Sequence, residues 1–197
     1  MDFRLAVPAD AGAIGDLYAR AFAHDRMTSW VTPDALRRTR LLRRLNTAIA
    51  RYQGIPHEAT YVARDAGAIV GAAIWQPPGA SAISWNSIPF ALTAGRALGR
   101  DMGRMIAMGR AVAAARGGAR YWYLQLLGVE PERQGSGVGS GLVREHLRVA
   151  DEQGVSAYLE TTVENLPFYA RLGFEVVGEI VIGRGAPVEF SLLRAAG

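Results

Sequence analysis

The chain contains no cysteine and no lysine; all 22 of its basic residues are arginine. Without cysteine there is no disulfide, no thiolate metal ligand and no covalent acyl-cysteine intermediate. Without lysine there is no Schiff-base chemistry, and no residue to reach the outer phosphates of a nucleoside triphosphate from a glycine loop. Long apolar runs are also missing. Residues 66–95 carry no charge, but Pro77, Pro78, Pro89 and several polar residues interrupt them before a membrane span could form, which reads as a buried strand followed by a loop. The first twenty residues alternate charged with small side chains and lack the apolar core of a signal peptide, so a cytoplasmic location is expected. The basic excess, 22 against 18 acidic residues, is modest and scattered, and neither nucleic acid nor membrane is expected as a partner. Its one local cluster, Arg37, Arg38, Arg40, Arg43, Arg44 and Arg51, shares a helix with Leu36, Leu41, Leu42, Leu45 and Ile49 and reads as a solvated face. A length of 197 residues suits one domain, 1–197, with an ample core.

What stands out is Gln134-Gly135-Ser136-Gly137-Val138-Gly139. Before it, Tyr121 to Val129 is dense in β-formers; after it, Val138, Leu142, Val143, Leu147 and Ala150 fall on one helical face. A glycine loop between strand and helix lets the backbone approach an anion, and the free amides and dipole of the helix start favour a phosphate or pyrophosphate. A dinucleotide fold is one reading, because Glu160 closes the next strand, Ala157 to Glu160, where a ribose-binding acid would stand. The glycine spacing fails it: the third glycine would fall on Ser140 or on Leu142, and only 37 residues follow Glu160.

The remainder of the pattern predicts strand Arg4 to Val7, helices Ala9 to Ala23 and Pro33 to Tyr52, and strands Thr60 to Arg64 and Ala68 to Trp75. A helix Pro89 to Arg116 follows, and beyond the glycine-loop helix come strand Ser156 to Thr161, helix Leu166 to Leu172, and strands Phe174 to Ile182 and Val188 to Leu193. This order implies an α/β (α+β) fold with a mixed, mostly antiparallel sheet covered by helices. In the helix Pro89 to Arg116, Leu98, Met102, Met105, Ile106, Gly109 and Val112 form one apolar stripe, and Gly95, Gly99 and Gly103 a small-residue stripe that predicts close helix approach. Met102, Met105 and Met108 read as core packing, with an acceptor pocket as the alternative.

The Q-x-x-G-x-G segment resembles the acetyl-CoA pyrophosphate loop of the GNAT superfamily of N-acetyltransferases. Leu124 to Val129 ending in Glu130-Pro131 is similar to that family's fourth strand. Asn165-Leu166-Pro167-Phe168-Tyr169, followed by Arg171-Leu172-Gly173-Phe174, is similar to its N-x-x-(F)-Y…GF segment. The likeness spans residues 119–182. Within the superfamily, Tyr121 to Leu124, Leu159 to Thr161 and Asn165 to Tyr169 look most like puromycin N-acetyltransferase and its relatives. Those often carry His where this chain has Tyr121, so a shared acceptor does not follow.

The resemblance implies acetyl-CoA as cosubstrate, with no metal, and a small-molecule primary amine of antibiotic or aminoacyl type as acceptor. Its pyrophosphate would meet the loop formed by Gln134, Gly135, Ser136, Gly137, Val138, Gly139 and Ser140, and its pantetheine would run beside Leu127, Gly128 and Val129. An amide near Leu127 would stabilise the oxyanion, Asn165 would contact pantetheine and Tyr169 would protonate the departing sulfur. For the base, Glu160 is the first candidate and Glu130 the second, with His24, His57 and Glu58 behind. Neutralising a lysine-like amine at pH 7 costs about 4.6 kcal/mol, against about 1.1 for an α-amine, so a chain without a dedicated base favours the weaker amine. Dimers are frequent in the superfamily, which admits a homodimer. A non-catalytic acyl-CoA sensor, a protein N-acetyltransferase and a dinucleotide-dependent oxidoreductase are the alternatives.

Overall fold

The computed structural model describes residues 1–80, 87–117 and 120–197. The uncharged run after residue 66 becomes an interior strand of the sheet: Ala72 and Ile74 face one side, Ala73 and Trp75 the other, and all four are fully buried. The loop expected beyond it, and the start of the family-like region at residue 119, lie partly outside the described residues.

The strands are β1 (Asp2–Leu5), β2 (Thr60–Asp65), β3 (Ala68–Gln76), β4 (Trp122–Val129), β5 (Ala157–Thr162), β6 (Glu175–Ile180) and β7 (Glu189–Arg194). The helices are α1 (Ala11–Ala21), α2 (Arg26–Val31), α3 (Ala35–Ile49), α4 (Ser87–Leu98), α5 (Met102–Arg116), α6 (Val138–Glu152) and α7 (Leu166–Ala170). The strands form one seven-stranded sheet in the order β1-β2-β3-β4-β5-β7-β6, antiparallel throughout except between β4 and β5. This is the mixed, mostly antiparallel sheet that the sequence implies. One face packs on α6 and α7 through Leu142, Val143, Leu147, Tyr169 and Leu172. The other packs on α1, α3 and α4 through Ile14, Leu17, Tyr18, Leu45, Ile49 and Leu98. Among the described residues no helix is long and apolar enough to cross a membrane.

Three local expectations are corrected. The sequence pattern omits α2, which starts where the Asp25 side chain accepts from the Thr28 amide at 2.8 Å and caps six residues too few to show a helical period. The single helix Pro89 to Arg116 is broken after Leu98, where Gly99 takes φ +49° and a 3-10 turn through Asp101 follows. The glycine stripe accordingly does not run along one helix-helix contact. A Cβ at Gly99 would lie 3.2 Å from Arg37, whereas one at Gly103 would meet nothing within 4 Å. Met102, Met105 and Met108 pack against the core, while Ile106 is exposed. The arginines of α3 are also not all solvated. Arg38 is buried and donates to the carbonyls of Ala23 (3.0 Å), Thr32 (2.8 Å) and Pro33 (3.2 Å), and Arg37 pairs with Asp101 at 3.0 Å, tying α3 to the α4–α5 break.

His146, on the core side of α6, is 1% exposed and lies against Trp122 (4.2 Å between centroids), Trp75 (4.6 Å) and Tyr61 (5.6 Å). Neither ring nitrogen has a hydrogen-bond partner among the described residues. Burial lowers its pKa from 6.5 to about 4, so the native state holds it neutral while the unfolded chain takes up a proton first. Its contribution is complete above pH ~6.5 and is lost as pH falls toward 4, amounting to about 3 kcal/mol. Urea unfolding midpoints should therefore fall between pH 6.5 and 4, and His146→Phe should flatten that part of the profile; an unchanged slope in the variant would assign the acid lability elsewhere.

Candidate active site

Strand β4 carries one residue too many. Ile74 of β3 stands opposite Leu126 but Trp75 stands opposite Leu124, so Gln125 is extruded as a bulge. Its side chain is held at both ends: Gln76 Nε2 donates to Gln125 Oε1 at 3.0 Å, and Gln125 Nε2 donates to Gln53 Oε1 at 3.2 Å, from the π-helical turn Ala50–Gly54 that follows α3. On its other edge β4 pairs with β5 only at Trp122–Ala157 and Tyr123–Tyr158. From the bulge onward the two strands part, and β4 through Val129 has no ladder partner on the β5 side among the described residues. An open strand edge accepts an extended ligand as an additional strand.

The parted segment is braced from below. Tyr18 of α1 is fully buried, its hydroxyl donates to the Ala72 carbonyl at 3.0 Å, and its ring lies under Gly128. Burial, and then the neighbouring Tyr169 hydroxyl, push the Tyr18 phenol well above the usual range. A Cβ on Gly128 would collide with Cδ1 and Cε1 of the Tyr18 ring, so the glycine is there to admit the tyrosine.

Beyond β4 a 3-10 turn, Pro131–Arg133, leads into the glycine loop, anchored by Arg133 on Asp65 at 2.6 Å. Gly135 and Gly137 take φ +75° and +88°, a conformation that turns successive amides toward one side of the loop. The loop is pinned from behind: Gln134 Nε2 donates to the Val129 carbonyl (3.3 Å), Ser136 Oγ to Arg133 (2.5 Å) and Ser140 Oγ to Gly137 (2.9 Å). No side chain caps α6, and a Cβ at Gly135 would meet nothing within 4 Å, leaving the helix start open to an anion. At Gly139 the helix comes against α7, where a Cβ would lie 3.5 Å from Phe168. Val138 is buried beneath the loop, so its side chain is structural.

Tyr169 is buried on the α6 side, edge-on to Phe168 (4.9 Å) and Phe174 (5.8 Å). Burial raises its pKa above the tyrosine range, which keeps it protonated. Asn165, immediately before α7, donates from Nδ2 to Thr161 Oγ1 at 3.1 Å and ties α7 to the end of β5. Gly173 takes φ +85° and ends the segment as a left-handed cap.

The carboxylates separate by environment. Glu130 is ion-paired with Arg20 through both of its oxygens, which removes it from the list of free bases. His24, His57 and Glu58 are exposed. Glu160 lies on β5, just past the last β4–β5 pair and on the side opposite α6. Burial raises its pKa, against the hydroxyl of Tyr123, the charge of Arg116 and the hydroxyl of Tyr158. Tyr158 donates to Ser191 Oγ at 2.9 Å, and Glu160 Oε1 is buried without a partner among the described residues, so the phenols steady its charge without closing a bond to that oxygen. Arg116 stacks 3.7 Å above the Tyr123 ring. Glu189 on β7 is a further candidate that sequence reasoning does not select. Its pKa is raised from 4.5 to about 7 by burial, then by Glu160 and Asp25. The one signal for it is a lone carboxylate inside the mostly apolar run Val188 to Leu193.

A family model described as "Acetyltransferase (GNAT) family" matches residues 19–174. The chain belongs to that family. The match reaches well upstream of the segments that carry the sequence resemblance, and takes in Tyr123, Glu160 and Tyr169. The fold is shared with a Corynebacterium glutamicum protein described as histone acetyltransferase HPA2 and related acetyltransferase (24% identity, TM-score 0.71, covering 99% of this chain and 96% of that one). It is shared with the Drosophila melanogaster polyamine N-acetyltransferase, described as forming N-acetylagmatine (18% identity, TM-score 0.64, 98% and 99%). It is also shared with a GNAT family acetyltransferase from Brucella melitensis in complex with acetyl-CoA (19% identity, TM-score 0.55, 100% and 88%). At these identities the likeness is one of fold.

For this acetyltransferase the parted strands are thus the feature that the rest of the site surrounds: loop and α6 at one end, Tyr169 on one face, Glu160 and Glu189 on the other. Gly128→Ala should destabilise it by about 1 to 3 kcal/mol in urea unfolding, because the new methyl must displace the Tyr18 ring. A change below about 0.5 kcal/mol would mean that Tyr18 is not a fixed wedge.

Proposed function

We propose that the chain, as one domain over residues 1–197, transfers the acetyl group of acetyl-CoA directly to a primary amine on a small molecule. The observation that carries this reading is the open edge of β4 leading straight into the uncapped, glycine-lined start of α6. The amides from Gly135 to Ser140, with Gln134 bracing the loop, suit a pyrophosphate. The edge at Leu127, Gly128 and Val129 suits an extended pantetheine arm, with Asn165 at its far side. The group so held supplies an activated thioester.

The chain's own residues do the rest. A backbone amide near Leu127 polarises the carbonyl, which is where a preorganised donor contributes most. Tyr169 Oη, kept protonated by burial, hands its proton to the departing sulfur. Glu160 lies at the opposite face, where an amine would enter. The runs Tyr121 to Leu124 and Asn165 to Tyr169 support kinship with puromycin N-acetyltransferase-like enzymes and so a small acceptor.

Calorimetric titration tests the cosubstrate without knowledge of the acceptor: acetyl-CoA should bind at micromolar concentration and NADH should not. Thiol release over an amine panel then separates an enzyme from an acyl-CoA sensor, which would bind and never turn over. Tyr169→Phe should lower kcat by about 10- to 1,000-fold while leaving acetyl-CoA affinity within a factor of three or so. Unchanged kcat would remove Tyr169 from the acid role. Rapid acetylation of histone-like peptides with no small-amine turnover would overturn the acceptor class.

A further inference from the structure

Resting on the reading above, we propose that Glu189 is the base that takes a proton from the acceptor, and that the acceptor therefore arrives as a primary alkylammonium rather than as an amine already neutral in water. The register of β5 and β7 sets Glu160 opposite Ser191 and Glu189 opposite Thr162, making the two carboxylates diagonal neighbours on one sheet face. That face also carries Tyr123 and Tyr158, and it is reached just where β4 leaves β5.

The surroundings assign the roles. Glu160 has the Tyr123 and Tyr158 hydroxyls and the Arg116 guanidinium to steady its charge. Glu189 has Glu160 facing it from β5 and Asp25 from the start of α2, its β6 neighbour Ile180 is apolar, and no cation pairs with it among the described residues. Asp25 is itself committed to capping α2, accepting from the Thr28 amide. Burial and two like charges bring Glu189 to about 7, the value at which a carboxylate both accepts and releases protons near neutrality. An ammonium ion is the guest that relieves this crowding, and the carboxylates that attract it also take its proton. The preference for a weakly basic α-amine rests on the lack of a base, and Glu189 removes that reason.

The balance is simple. Glu189 takes one N–H proton, and the freed lone pair forms the N–C bond as the C–S bond breaks. Tyr169 Oη gives its proton to sulfur and recovers it from the second N–H. The amide and the thiol leave, and Glu189 releases one proton to solvent.

Calorimetry on wild type and Glu189→Gln should give equal acetyl-CoA affinities. Failure of both to bind would overturn the acetyl-transfer reading and this inference with it, whereas equal binding isolates the base. With agmatine as the ammonium probe, wild-type kcat/KM should rise through an inflection near pH 7. Glu189→Gln should lose that inflection and about 100-fold or more of kcat/KM at pH 7, yet lose less than about tenfold with methoxyamine, which is neutral there. In the ligand-free protein, carbon-13 labelled glutamate should show one carboxyl titrating near 7 that vanishes in Glu189→Gln and shifts downward on adding agmatine. Glu189→Gln should be at least as heat-stable as wild type above pH 7, which guards against a folding artefact. A persisting inflection, an equal loss with both probes, or the lack of that carboxyl would overturn the assignment.

Discussion

A β-strand paired on both edges has no backbone left for a ligand, and the site proposed for this protein depends on how one central strand escapes that condition. β4 is laddered to β3 from Tyr123 to Val129 but leaves β5 after two residue pairs, and the single extra residue at Gln125, unpaired with β3, marks the departure. Such a break in the middle of a sheet leaves donors and acceptors unsatisfied unless something replaces them. The replacement at the bulge is a chain of three glutamine amides, Gln76, Gln125 and Gln53, running from β3 across β4 to the turn after α3. Below it Tyr18 wedges against Gly128 and holds the carbonyl of Ala72. The opening is therefore a supported feature, with the beginning of α6 at one end and α7 across from it.

The electrostatics divide along the same line. The net charge of +4 describes the molecule poorly. At the loop, positive character comes from backbone amides and a helix dipole rather than from side chains. On the face of the sheet opposite α6, Glu160 and Glu189 are diagonal neighbours and Asp25 adds its charge, so negative charge gathers away from the loop. Several arginines are committed to structure: Arg38 to three carbonyls, Arg37 to Asp101, Arg133 to Asp65 and Arg20 to Glu130.

Legibility followed range. The glycine loop, α6 and the Asn165–Tyr169 segment are readable because their residues are adjacent in sequence and each satisfies a local requirement, whether a positive φ at Gly135, Gly137 and Gly173 or an apolar stripe from Val138 to Ala150. The mixed sheet follows from strand and helix periods alone. The short helix α2 escapes such a reading because six residues make fewer than two turns. The break at Gly99 escapes it because a glycine among helix-formers is ambiguous until Arg37 is seen to approach it.

The sequence by itself determined most of the elements and the order of strand, glycine loop and helix, all of which depend on interactions within about ten residues. Only the tertiary structure decided that β4 and β5 part, that Glu130 is silenced by Arg20 from 110 positions away, and that Glu189 is raised by Glu160 and Asp25 from two other elements. A carboxylate's proton affinity is set by the burial and charges around it, and those neighbours come from strands and helices that only the folded sheet brings together.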